Sequence, residues 1–142
     1  MEWFLDRIVG AVALVAVFTP ATEPCRVLDG LDHERAGAWA AGDPAALAQA
    51  HVGGTDAPDV AALEAYVDRG LRVTGARIER RRCEARGSGA SVTERLGPAV
   101  AVTTDGQRHR LPSDHWADRW IGLEFDGRWR IAEVADVSAA RE

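Results

Sequence analysis

No lysine occurs in the 142 residues; all 17 basic side chains are arginine. Schiff-base and lysine-nucleophile chemistry are thereby excluded. A basic surplus is missing too. The formal net charge is −5 and the sequence pI about 5.4, which argues against nucleic acid as a general partner, because phosphate binding needs a positive surface. Cysteine is sparse, with only Cys25 and Cys83, so a four-ligand structural zinc site has no basis. Nothing in the motifs calls for a cofactor. What remains is ordinary for a globular chain, 46% hydrophobic and 27% charged, long enough for one domain with a real core.

The longest uncharged apolar run, Ile8 to Phe18, is short for a membrane span and fits the apolar region of a secretory signal. Thr19-Pro20-Ala21 offers a small residue at a cleavage point. Glu2, Asp6 and Arg7 do not give the usual positive n-region, and Thr22-Glu23-Pro24 is not a lipid-attachment box before Cys25. If Trp3 to Leu5 are counted, an uncleaved anchor results; the remaining reading is a first helix packed on the domain. We take residues 1–22 as a signal peptide or membrane anchor, 24–136 as the domain and 137–142 as a tail. Two cysteines far apart are either two buried thiols or one disulfide, and the compartment decides. Under export, a Cys25–Cys83 disulfide is expected, tying the start of the first helix to a mid-sheet strand.

Hydrophobic periodicity predicts a helix over Pro24–Ala41, with Leu28, Leu31, Arg35, Ala38 and Trp39 on one face. Gly42 stops it. Asp43 caps a second short helix, 45–51, with Pro44 at its first position. Thr55 or Asp56 is expected to cap a third helix carrying Val60, Leu63, Tyr66 and Val67, ended by Gly70. Beyond Gly70 the pattern becomes extended. Four strands are expected, over 71–86, 91–104, 108–125 and the run closing near Val137. Gly97-Pro98 and Pro112-Ser113-Asp114 are expected breaks, and the turns lie at 104–107 and Asp126-Gly127. Helices first and strands after them read as α+β, three N-terminal helices packed on a curved antiparallel sheet of about four strands.

Four stretches carry a resemblance: "VLDGLDHERAGAWAAGDPAAL" (27–47), "DVAALEAYVDRGLRVTGARI" (59–78), "VTERL" (92–96) and "LEFDGRWRIAEV" (123–134). In order and spacing the chain resembles the NTF2-like, or SnoaL-like, superfamily, and more narrowly small actinobacterial members that are exported or membrane-anchored. The resemblance implies a conical cavity between helices and sheet. It leaves the activity open, because such a fold hosts isomerases, cyclases, binding modules and accessory domains.

Arg35 on an apolar stripe needs a carboxylate or a ligand anion, since a lone buried charge is expensive. Glu94, Asp114 and Glu133 are the expected partners in a structural ion pair; an anion-binding role at a cavity mouth and a guanidinium that snorkels to solvent are the other readings. Isomerases of the resembled superfamily use an acidic base with a Tyr and a protonated Asp as oxyanion hole. Here the single tyrosine, Tyr66, falls on a core stripe, and Glu94 and Glu133 have no evident donor beside them. His109, Asp114 and His115 collect imidazoles and a carboxylate, enough for a base with an orienting group but too few for a metal shell. His33 and His51 read as surface residues. The run 80–86 reads as an exposed charged sheet face. Trp116, Trp120 and Trp129 read as core, or else as a face for a homodimer formed through the sheet.

The pocket candidates are therefore Arg35, Tyr66, Glu94, Asp114 and His115. The function expected from the sequence is a non-catalytic extracytoplasmic domain binding a protein partner or a small hydrophobic ligand. The alternative is an isomerase or cyclase acting on a hydrophobic small molecule.

Overall fold

A computed structural model describes residues 23–137. Residues 1–22, expected to be a signal peptide or membrane anchor, and all of the expected tail but Val137 lie outside these residues. Among the described residues, no helix is long and apolar enough to cross a membrane.

The architecture is α+β. Helix α1 spans Pro24–Ala41, α2 Pro44–Ala48 and α3 Pro58–Asp68, with a 3-10 turn at Gly54–Asp56 before α3. Gly42 closes α1 in the left-handed region, φ 64°, where a β-carbon is disfavoured. The Asp43 side chain then accepts from the Ala46 N–H, 3.0 Å, to start α2. The third helix departs from expectation. Its N-cap is Ala57, which supplies no side-chain bond, because Thr55 and Asp56 are taken into the 3-10 turn.

Among the described residues seven strands form instead of four: β1 Arg72–Thr74, β2 Ile78–Arg86, β3 Gly89–Leu96, β4 Ala99–Val102, β5 Arg108–Leu111, β6 Ala117–Phe125 and β7 Trp129–Asp136. The physical reason is a common crease. Three of the four extended runs break at one level, at 75–77, at Gly97-Pro98 and at 112–116. One side of the crease is a three-stranded antiparallel sheet, β1-β4-β5; the other is a four-stranded antiparallel sheet, β2-β3-β6-β7. Gly75 takes φ 74° at the first break, and Pro98 and Pro112 cannot donate to a ladder. The crease is stitched by Gly97 N–H to Arg77 C=O and Asp114 N–H to Leu96 C=O, both 2.9 Å.

The larger sheet packs its inner face on the N-terminal half of α1. Leu28, Leu31, Ala50, Ala90, Val92, Ile121, Leu123 and Ile131 make one buried cluster there. Burying a leucine such as Leu28 contributes about 2–3 kcal/mol. Cys25 and Cys83 form a disulfide at the margin of this cluster, Cα–Cα 6.1 Å. Cys83 stands on β2, which is an edge strand of its sheet and not the mid-sheet strand expected. The opposite edge, β7, is covered by residues 50–52: Val52 N–H donates to Ile131 C=O and Ile131 N–H to Ala50 C=O, 2.8 Å each. A second cluster, Ala38, Leu47, Val60 and Leu63, joins the three helices.

The tryptophans divide differently from the core reading. Trp129 packs against the main cluster. Trp120 is half-buried on the outer face of the larger sheet, its indole N–H donating to Arg86 C=O at 3.1 Å. A β-carbon at Gly122 would come within 2.8 Å of that ring, so the glycine makes room for it. Trp116 holds the Arg81 and Arg95 guanidinium groups 4.4 and 4.5 Å from its ring centre. A bulge between Arg80 and Arg82 sends Arg81 and Arg82 outward while Arg80 turns inward, so the basic run is only partly an exposed face.

Candidate functional site

The crease leaves a gap that the C-terminal half of α1 and the start of α3 roof over. It is a cavity of about 330 Å³. Asp32, Arg35, Ala36 and Trp39 line it from α1 at i, i+3, i+4 and i+7, one helical face. Asp59, Ala62 and Tyr66 line it from α3; Ala76, Arg77, Ile78, Leu96, Gly97, Leu111 and Pro112 line it from the crease. Trp39 and Tyr66 meet edge to face, ring centres 5.5 Å apart. The walls are mainly apolar, in the lower part of the size range of small-molecule sites.

Three charged groups of the wall, Asp32, Arg35 and Asp59, are engaged with one another. Arg35 Nε donates to Asp59 Oδ2 at 2.8 Å and Arg35 Nη1 to Asp32 Oδ1 at 3.0 Å. Trp39 Nε1 donates to Asp59 Oδ1 at 3.2 Å, and His51 Nε2 lies 3.3 Å from Asp59 Oδ2. An ionised carboxylate only accepts, so the proton of that contact is assigned to His51 Nε2. Burial alone would raise the Asp59 carboxyl. The bond from His51, then Arg35 and Trp39, overcome this and lower it to about 2. Its position in the first turn of α3 favours the charge further. Burial would likewise lower the Arg35 guanidinium, but Asp59 and then Asp32 hold it above its ordinary range.

Behind the wall the network continues. Arg80 Nη2 donates to Asp32 Oδ2 at 2.7 Å and to Glu94 Oε2 at 2.8 Å, and Arg80 Nη1 to Asp29 at 3.1 Å. Arg119 Nη1 reaches Glu94 Oε1 at 3.3 Å. Burial raises the Asp32 carboxyl above 3.8 despite Arg80 and Arg35 beside it. Glu94 is 4% exposed and fully engaged, and it does not line the cavity.

The structure thus gathers Arg35 and Tyr66 at the cavity. It places Glu94 behind it, and leaves Asp114 and His115 exposed in the segment before β6. The Arg35 partners are Asp32 and Asp59, not Glu94, Asp114 or Glu133. Among the described residues, no group of three or more His, Cys, Asp or Glu converges as a metal site. His51, read as a surface residue, is buried against Asp59. Two sequence signals pointed to the missed carboxylates: Asp32 stands three residues before Arg35 on one helix face, and Asp59 follows Pro58 in the first turn of a helix. Nothing local marks His51, Arg77 or Arg80, which tertiary folding alone delivers.

Asp59 is a poor base, with a lowered pKa and both oxygens occupied. Asp32 is raised, yet both its oxygens also accept from arginine. Comparison with known protein-family models and with curated protein sequences returned no match.

Proposed function

We propose that the chain is a non-catalytic, NTF2-like binding module working outside the cytoplasm, which holds a small, predominantly apolar molecule in the crease cavity. One observation carries this reading: a cavity with apolar walls whose buried charges, Arg35, Asp59 and Asp32, are satisfied within the protein. A ligand entering it displaces no ion pair and meets no free buried base. The curved sheets and three helices are compatible with the cone of the resembled superfamily. The Cys25–Cys83 disulfide is compatible with an oxidising compartment, to which residues 1–22 would deliver the domain.

The test is a titration with an uncharged amphiphile, decan-1-ol, followed by thermal shift and by displacement of a fluorescent naphthalene probe. Wild type should bind, and Ala62→Trp, which fills the cavity from an exposed position of α3, should not. Absence of binding to wild type, or equal binding to the filled variant, overturns the proposal.

A second reading is favoured by Asp32, a cavity-lining carboxyl pushed up by burial. An isomerase of that type would wash deuterium into the carbons next to the carbonyl of a small apolar ketone such as 2-tetralone. Exchange abolished in Asp32→Asn would establish it; no exchange above buffer would remove it.

A further inference from the structure

Four charged side chains line the cavity: Asp32, Arg35, Asp59 and Arg77. Three of them belong to the interlocked network above. Arg77 does not. It has no ion pair among the described residues and is exposed at the rim, in the break between β1 and β2. Its backbone is pinned there, because its C=O accepts the Gly97 N–H at 2.9 Å. Arg77 also borders the shallow hollow that continues outward past Asp29, Asp32 and His33. The carboxylates that line this hollow with it are already committed: Asp29 to Arg80, and Asp32 to Arg35 and Arg80.

A cavity with apolar walls and one uncommitted cation at its mouth fits a molecule with an apolar body and one anionic end. Arginine is suited to that end, since its planar fork receives a carboxylate through two parallel N–H bonds. The depth of the cavity would take the hydrocarbon, beside Trp39, Tyr66 and Leu111, while the charged head stays at the wet rim. That separation avoids the cost of burying a charge. Nothing deeper in the cavity could play the same part, because Arg35 is held by two aspartates.

We infer that the ligand is a monoanionic amphiphile, a small carboxylic acid with an aliphatic or aromatic body, whose carboxylate is received by Arg77. This rests on the binding reading above and adds the charge and orientation of the ligand. The experiment compares decanoate, decan-1-ol and decylammonium, below their aggregation concentrations, by calorimetry on wild type, Arg77→Gln and Ala62→Trp. Decanoate should bind wild type roughly tenfold tighter than decan-1-ol, the size of one charge-assisted contact at a partly wet rim. Arg77→Gln should remove the preference, so that this variant binds decanoate no tighter than decan-1-ol. Ala62→Trp should abolish both. Equal affinities of decanoate and decan-1-ol for wild type, or tighter binding of decylammonium, would overturn the inference while leaving the binding module intact. A preference for decanoate that survives in Arg77→Gln would also overturn it. Failure of all three ligands on wild type would remove the binding module as well.

Discussion

The two halves of α1 face different interiors. Its N-terminal half, around Cys25, Leu28 and Leu31, lies on the four-stranded sheet, packed against aliphatic side chains and fastened by a disulfide. Its C-terminal half carries Asp32, Arg35 and Trp39 over the crease, where charged hydrogen bonds bridge α1 to α3 and a cavity remains. Hydrophobic burial is non-directional and closes whatever space it can. An ion-pair network holds helices apart at fixed distances, and it can border an unfilled space without collapsing into it. The first half fixes the domain and the second leaves a cavity beside it.

The largest expected effect belongs to the fastened half. Closing a loop across a separation of 58 residues should contribute about 4 kcal/mol, so reduction, or replacing both cysteines by serine, should lower urea-unfolding stability by that amount. Decan-1-ol binding should persist in the folded fraction; its loss would mean that the two halves are not independent. Next comes truncation at matched chemistry. Leu28→Ala, at a fully buried site, should cost about 3 kcal/mol, whereas Leu111→Ala at the cavity wall should cost about 1 kcal/mol because the space is already partly empty. Similar costs at the two sites would erase the distinction between packed and open halves.

A third effect, smaller than those at the disulfide and at Leu28, tests the charged bridge. Asp59 is lowered to about 2 from 3.8, so its contribution, about 2 kcal/mol, is present above 3.8 and is lost as pH falls toward 2. Asp32 is displaced upward, so it favours folding when protonated and loses that contribution as pH rises above 3.8. Asp59→Asn should therefore destabilise the protein at neutral pH and flatten the acid limb between about pH 4 and pH 2. An unchanged acid limb in chemical unfolding would show that Asp59 is not the anchor of the bridge.

Much of the local structure was legible in short segments. Gly42, Asp43 and Pro44 announce a helix stop and restart, and the structure has both. The four extended runs were bounded to within about two residues, the second being expected over 91–104 and found over 89–102, and the breaks at Gly97-Pro98 and Pro112 were visible as residues that interrupt a ladder. That these breaks align with 75–77 into one crease was not visible, because alignment depends on strand register. Register also turned Arg80 inward through a bulge and put Trp120 on the outer face. Arg35 was recognised as a charge needing a partner, yet its partners came from one turn earlier on its own helix and from the next helix but one.

The sequence alone determined the class of the fold, the order of its elements, and the acidic, lysine-free composition that excludes several chemistries. These follow from local propensity and periodicity, which act within a few residues. Tertiary structure alone decided where the cavity opens, which charges close on each other and which one, Arg77, is left at its rim. Those depend on contacts between residues far apart in the chain, such as Arg35 with Asp59 and Arg80 with Glu94, and no local pattern specifies such pairs.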